Sequence, residues 1–172
     1  MSRPSLDLLM QAFGAQSSSK AFVSASASSR SGSVDPGRAM ILCVERDPYV
    51  RELETFFLTE AGFSVTFADD GVKALELAQQ LHPHVIITEI LVPRLDGLAL
   101  CRRLKADPAT SDIAVLVFSL LSAESRAKDA GADAFLPKPL SPQVLKERVR
   151  TVLQARSIKQ ESKSPATREL RR

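Results

Sequence analysis

The sequence predicts an α/β fold: a doubly wound, five-stranded parallel sheet with helices on both faces. Three observations carry this. Short apolar runs of strand length alternate with longer stretches of 3.6-residue periodicity. The runs at residues 40–44, 85–87 and 113–118 are continuously apolar, as strands covered on both faces require. Helical stretches are bracketed by cap and stop residues, Asp-Pro or Ser-Pro ahead of them and Gly behind. Strand and helix in strict alternation imply parallel strands joined by crossover helices.

Taken in order, residues 40–44 (MILCV) form the first strand. Asp47-Pro48 then supplies an N-cap and a proline at the first helical position. Val50, Leu53, Phe57 and Ala61 follow at helical spacing, and Gly62 stops the helix. Residues 64–67 are a second strand, and 72–81 a second helix with Leu75, Ala78 and Leu81 on one face, stopped by Pro83. A third strand at 85–88 precedes a helix at 98–105, and a fourth at 113–118 precedes a short, alanine-rich helix at 123–130 that ends at Gly131. Residues 134–136 are a short fifth strand. Ser141-Pro142 caps a last helix carrying Leu145, Val149, Val152 and Leu153.

A length of 172 residues suits one domain with tails. Residues 1–38 read as a flexible tail, with nine serines in 17–33 and few large apolar groups there. Leu6, Leu8, Leu9, Met10 and Phe13 form a small apolar cluster ahead of them, either a sticky tail or a partner-docking peptide. The domain proper is 39–153, and 154–172 reads as a fraying continuation of the last helix and then a basic tail. The chain carries a net charge of +3, but the charge is unevenly placed. Basic residues outnumber acidic ones four to two in 1–38 and six to two in 154–172, whereas 39–153 holds 13 basic against 16 acidic. The basic balance therefore belongs to the tails, which weakens a nucleic-acid reading. No apolar run approaches the roughly 20 residues of a membrane span. Cys43 and Cys101 lack metal-ligand spacing and read as reduced core thiols of a cytoplasmic protein.

In doubly wound sheets the functional crevice lies at the carboxyl ends of the strands. The residues there are Glu45-Arg46-Asp47, Glu89, Ser119 and Lys138. Together with the segments ILCVERDPYVRE, ADDGVKAL, PHVIITEILVPRLDG, the FS after the fourth strand and GADAFLPKP, they give residues 39–153 a set of linked motifs. This set resembles the receiver (CheY-like) domain of bacterial two-component response regulators. The resemblance implies a flavodoxin-like sheet of strand order 2-1-3-4-5. It also implies a pocket in which an acidic pair holds Mg²⁺, an aspartate accepts a phosphoryl group, a hydroxyl and a lysine contact the phosphoryl oxygens, and an aromatic residue reports the change. On that resemblance Ser119 and Lys138 hold the hydroxyl and lysine positions, Phe135 the aromatic switch position, and Lys138-Pro139 a step where a cis bond is usual.

Two positions depart. Glu89 stands at the phosphoacceptor position, and Arg46 stands at the second position of the acidic pair, with Glu45 at the first. Glu45 and Glu89 facing Arg46 and Lys138 would neutralise each other, so nothing would demand a metal, and the guanidinium would take the ion's place. The expectation is therefore a pseudo-receiver with no metal, no cofactor and no catalytic residue: Mg²⁺ binding lost and phosphorylation absent. The stretch between Ser119 and Gly131 is also a few residues shorter than the resemblance implies, on a face through which many receivers meet partners.

The remaining features read plainly. His82 and His84 flank Pro83 as turn polarity, Asp69 and Asp70 cap the second helix, and Arg102 and Arg103 are solvated. Arg168, Arg171 and Arg172 are interrupted by Glu169 and have no interleaved aromatic residue. The function expected is a stand-alone, phosphorylation-independent protein-interaction module in bacterial signalling, not an enzyme. A protein is its partner, with a second copy on the face of the fourth helix, fifth strand and fifth helix as one form of contact. The alternatives are a competent phospho-accepting receiver, or a regulator touching nucleic acid through its basic tail.

Overall fold

The computed structural model describes residues 39–163 apart from Leu140, so the expectations placed on 1–38 and 164–172 lie outside the described residues. Its strands are β1 (Met40–Val44), β2 (Ser64–Ala68), β3 (Val85–Thr88), β4 (Ala114–Ser119) and β5 (Ala134–Pro137). Its helices are α1 (Pro48–Glu60), α2 (Gly71–Leu81), α3 (Gly97–Ala106), α4 (Glu124–Asp129) and α5 (Pro142–Lys163). The sheet runs β2-β1-β3-β4-β5 and every pairing is parallel. This is the predicted doubly wound order.

The two-residue period of the strands divides the core between the two faces of the sheet. Leu42, Val44, Ile86, Val115 and Val117 pack with Ala74 and Ala78 of α2, Leu104 of α3 and Ala127 of α4. Ile41, Cys43, Val85, Ile87 and Leu116 pack on the opposite side with Leu58 of α1 and Leu145, Val149 and Val152 of α5. Both cysteines are buried free thiols, as their positions predict. Asp47 caps α1, its Oδ1 accepting from Tyr49 N–H at 2.8 Å.

Three local readings change. Asp70 caps α2 through Lys73 N–H at 2.8 Å, but Asp69 pairs with Arg51 instead. His84 does more than polarise a turn: its Nδ1 accepts from Met40 N–H at 3.1 Å, joining the starts of β1 and β3. The last helix continues ten residues past Leu153, so the continuation read there as fraying is regular helix as far as Lys163. It is held against the body because Arg156 pairs with Asp112 at 2.9 Å and Lys159 with Asp133 at 3.1 Å.

Candidate functional site

The carboxyl ends of β1, β3, β4 and β5 bring Glu45, Glu89, Ser119 and Lys138 together. Glu45 follows β1 directly and shares the face of Cys43, so its side chain is turned inward and is 7% exposed. Its Oε2 meets Lys138 Nζ at 2.6 Å, and its Oε1 accepts from Asp47 N–H at 2.8 Å. Arg51 of α1 reaches back to donate Nε–H to the Glu45 carbonyl at 2.6 Å. The lysine is brought within reach by the turn after β5, which contains the cis Lys138–Pro139 bond and is tied to β4 by Lys138 N–H to Ser119 O at 2.8 Å.

Glu89 occupies the centre. Its Oε2 lies 3.1 Å from Lys138 Nζ, and its Oε1 accepts from the Ser119 hydroxyl and from Ile90 N–H at 2.6 Å. The backbone around it is pinned by Gly97 at the start of α3. A Cβ there would lie 2.2 Å from the Glu89 carbonyl oxygen, so only glycine lets the helix abut this loop. Burial works against ionising Glu89, but the Ser119 hydroxyl and the Lys138 ammonium outweigh it and hold the carboxyl below its ordinary value. Burial likewise opposes the charge on Lys138, and Glu45 and Glu89 outweigh it, so the ammonium is held above its ordinary value. Lys138 also stands over the Phe118 ring, 4.9 Å from its centroid. Phe135, at the switch position on β5, is half-buried against the core on the α2–α4 face.

Residues 41–150 match the response regulator receiver domain. The chain belongs to that family. It is 37% identical over 116 residues to the DNA-binding dual master transcriptional regulator RpaA of Synechocystis, covering 66% of this chain and 48% of that protein. The receiver domain of a signal transduction histidine kinase from Syntrophus aciditrophicus is 33% identical, with a TM-score of 0.65 over 68% of this chain and 91% of that one. The chemotaxis response regulator CheY4 of Vibrio cholerae is 26% identical, with a TM-score of 0.63 over 66% of this chain and 98% of that one. This chain spans about half the length of the curated relatives it matches.

Within this receiver domain one predicted site residue does not join the pocket. Arg46 is exposed and makes no hydrogen bond or ion pair with another described residue. The expectation that it neutralises the pocket is therefore corrected. Its position beyond the end of β1 faces solvent, and Lys138 already serves both carboxylates, so burying a guanidinium would lose hydration for little gain. The cluster of Glu45, Glu89 and Lys138 carries one net negative charge rather than none.

The donor set suits an ammonium better than a hard divalent cation. Magnesium takes near-octahedral oxygens at about 2.0–2.1 Å and prefers carboxylates free to accept it. Here Glu45 divides its oxygens between Lys138 and a backbone N–H, Glu89 divides its own among Ser119, Ile90 and Lys138, and the remaining acidic-pair position is a cation. Among the described residues no three His, Cys, Asp or Glu side chains are grouped to hold a metal ion.

Sequence reasoning missed Glu54. It lies on the inward face of α1, 3% exposed, although Leu53 was expected on that stripe. The signal was present: position 54 is four residues after Val50 and three before Phe57, the spacing of one helix face.

Proposed function

We propose that this receiver domain works without phosphorylation, as a protein-binding module whose pocket is closed on itself by Glu89. The single observation supporting this is that the Glu89 carboxylate touches both Ser119 and Lys138, the groups expected on the family resemblance to hold a phosphoryl group. Phosphoryl transfer depends on positioning and on charge stabilisation by metal. A glutamate carries its carboxyl one C–C bond, about 1.5 Å, further than an aspartate. A misplacement near 1 Å costs on the order of a hundredfold in rate. With its oxygens committed to Lys138, the pocket has little to offer Mg²⁺, and the domain binds a partner rather than catalysing a reaction.

In this reading the partner is a protein met in the cytoplasm, where both thiols stay reduced. Leu91 beside Glu89, and Leu120 and Leu121 beside Ser119, are exposed and give the pocket an apolar rim on which such contact could depend. A second copy on the α4–β5–α5 face is the other contact we propose. The acidic balance of 39–153 argues against nucleic acid as the ligand of the domain itself. RpaA is DNA-binding by name, but this chain spans only about half of that protein.

The test is incubation with acetyl phosphate and Mg²⁺, read by intact mass, beside an Arg46→Asp/Glu89→Asp double variant. The wild type should stay unmodified and the double variant should gain one phosphoryl group. A phosphorylated wild type overturns the reading.

A further inference from the structure

Beneath the pocket lies a carboxyl group that the receiver chemistry does not use. Glu54 projects from α1 onto β1, and its Oε2 is buried with no hydrogen-bond partner among the described residues. The Cys43 thiol of β1, itself fully buried, is among the groups that act on the same carboxyl. A carboxylate in such a place lacks the two or three donors that ordinarily accompany buried charge. A carboxylic acid fits it better, since the proton removes the charge.

The groups around it come from four directions. On β1 and just beyond it, Cys43 and Glu45 share one face of the strand. On α1 itself, Arg51 stands one turn earlier, engaged by the Glu45 carbonyl and Asp69. From the turn after β5 comes Lys138, already paired with Glu45 and Glu89. From α5, Lys146 is turned to Glu60 at 3.2 Å, and β2 (SVTFA) contributes no ionisable side chain. Lys138 is thus the cation that serves the pocket and also acts on Glu54 beneath it.

We propose that Glu54 is a proton site set beneath the pocket, and that taking up or releasing its proton changes how Lys138 divides itself between Glu45 and Glu89. With the proton bound, the set of Glu45, Glu89, Glu54 and Lys138 carries one negative charge. With the proton gone it carries two, and Lys138 faces a third carboxylate. Burial raises the Glu54 carboxyl to about 7, against the opposing pull of Lys138, so this exchange falls near neutral pH.

The inference rests on the Lys138 network and not on the domain's indifference to phosphodonors, which the acetyl phosphate experiment tests separately. The experiment is an NMR titration from pH 5.5 to 8.5 following Lys138 ¹³Cε and the Ser119 and Leu121 amides. Wild type, Glu54→Gln and Glu54→Leu are compared; the glutamine keeps the shape of the protonated acid, and the leucine suits the apolar surroundings if the glutamine folds poorly. The wild type should show a one-proton step with a midpoint near 7 at all three positions, and either variant should lose it while the titration of His84 persists. A wild type without that step, or a step that survives both substitutions, overturns the proposal.

Discussion

Two lysine–carboxylate clusters stand at opposite ends of the sheet, with opposite composition. At the carboxyl end one lysine, Lys138, serves two carboxylates, Glu45 and Glu89. At the amino end one carboxylate, Asp133, serves two lysines, Lys105 at 2.7 Å and Lys159 at 3.1 Å, and also accepts from Val115 N–H at 2.9 Å. Lys105 further donates to the Ile113 carbonyl at 2.7 Å, so this cluster joins α3, β4 and α5. Asp133 has two cations and a backbone N–H for its one charge, and losing one leaves others. Lys138 has one positive charge for two carboxylates, with a third carboxyl, Glu54, beneath them. The first arrangement fastens helices to the sheet, whereas the second is finely balanced, and a site that changes state needs such balance.

The sharpest way to break the comparison is to remove each lysine in turn. Lys138→Met leaves Glu45 and Glu89 facing each other with side chains only 7% and 11% exposed. Removing one partner of a buried ion pair costs about 3–5 kcal/mol, and urea unfolding at pH 7 should show a loss in that range. The same change at Lys105 should cost less, because Asp133 keeps Lys159 and Val115 N–H. Equal losses at the two ends would mean that composition does not matter.

The pH dependence of stability sharpens the contrast, since the two ends carry opposite signs. Burial opposes ionisation of Asp133, but Lys105 and the Val115 N–H outweigh it and hold its carboxyl below the ordinary 3.8. Its contribution is present above that value and is lost as pH falls through the folded one. Glu54 is raised from 4.5 to about 7, so its contribution is fully present below pH 4.5 and is lost as pH rises to about 7. That loss is about 3 kcal/mol. His84 is held below its ordinary 6.5 by burial and by Arg156, and adds stability as pH rises, so the readout is the difference between variants. Glu54→Leu should remove the fall between pH 4.5 and 7, and Asp133→Asn should weaken only the acid limb. A wild type and Glu54→Leu with parallel profiles would contradict the placement of this carboxyl.

Much of this molecule was legible in its sequence because the signals are local. Continuous apolar runs, Asp47-Pro48 and the stops at Gly62 and Gly131 fix where elements begin and end, and strict alternation fixes the parallel sheet. The positions of Glu45, Glu89, Ser119 and Lys138 follow, since each sits just after a strand. What sequence did not yield depends on direction and tertiary contact. Arg46 and Glu45 are neighbours, and only the pleat decides which turns inward. Leu53 and Glu54 both lie near the inward stripe of α1, and hydrophobicity favours the wrong one. The reach of α5 to Lys163 depends on Asp112 and Asp133, which are far away in the chain.

The smallest effect is the most direct check on that lesson. Read by formal charge alone, Arg46 should be central: it stands where an acid would bind metal, and it would cancel one of the pocket's carboxylates. In the fold it is exposed and has no partner among the described residues, while Lys138 pairs with both Glu45 and Glu89. Arg46→Ala should therefore leave the urea midpoint at pH 7 unchanged, with the Lys138 and Ser119 resonances in place. The adjacent Glu45→Gln, which takes charge from an inward side chain, should shift both. An Arg46→Ala variant that moved the Lys138 resonance as far as Glu45→Gln does would return the guanidinium to the pocket. It would also make the charge balance at this end one to one, removing the asymmetry between the two ends of the sheet.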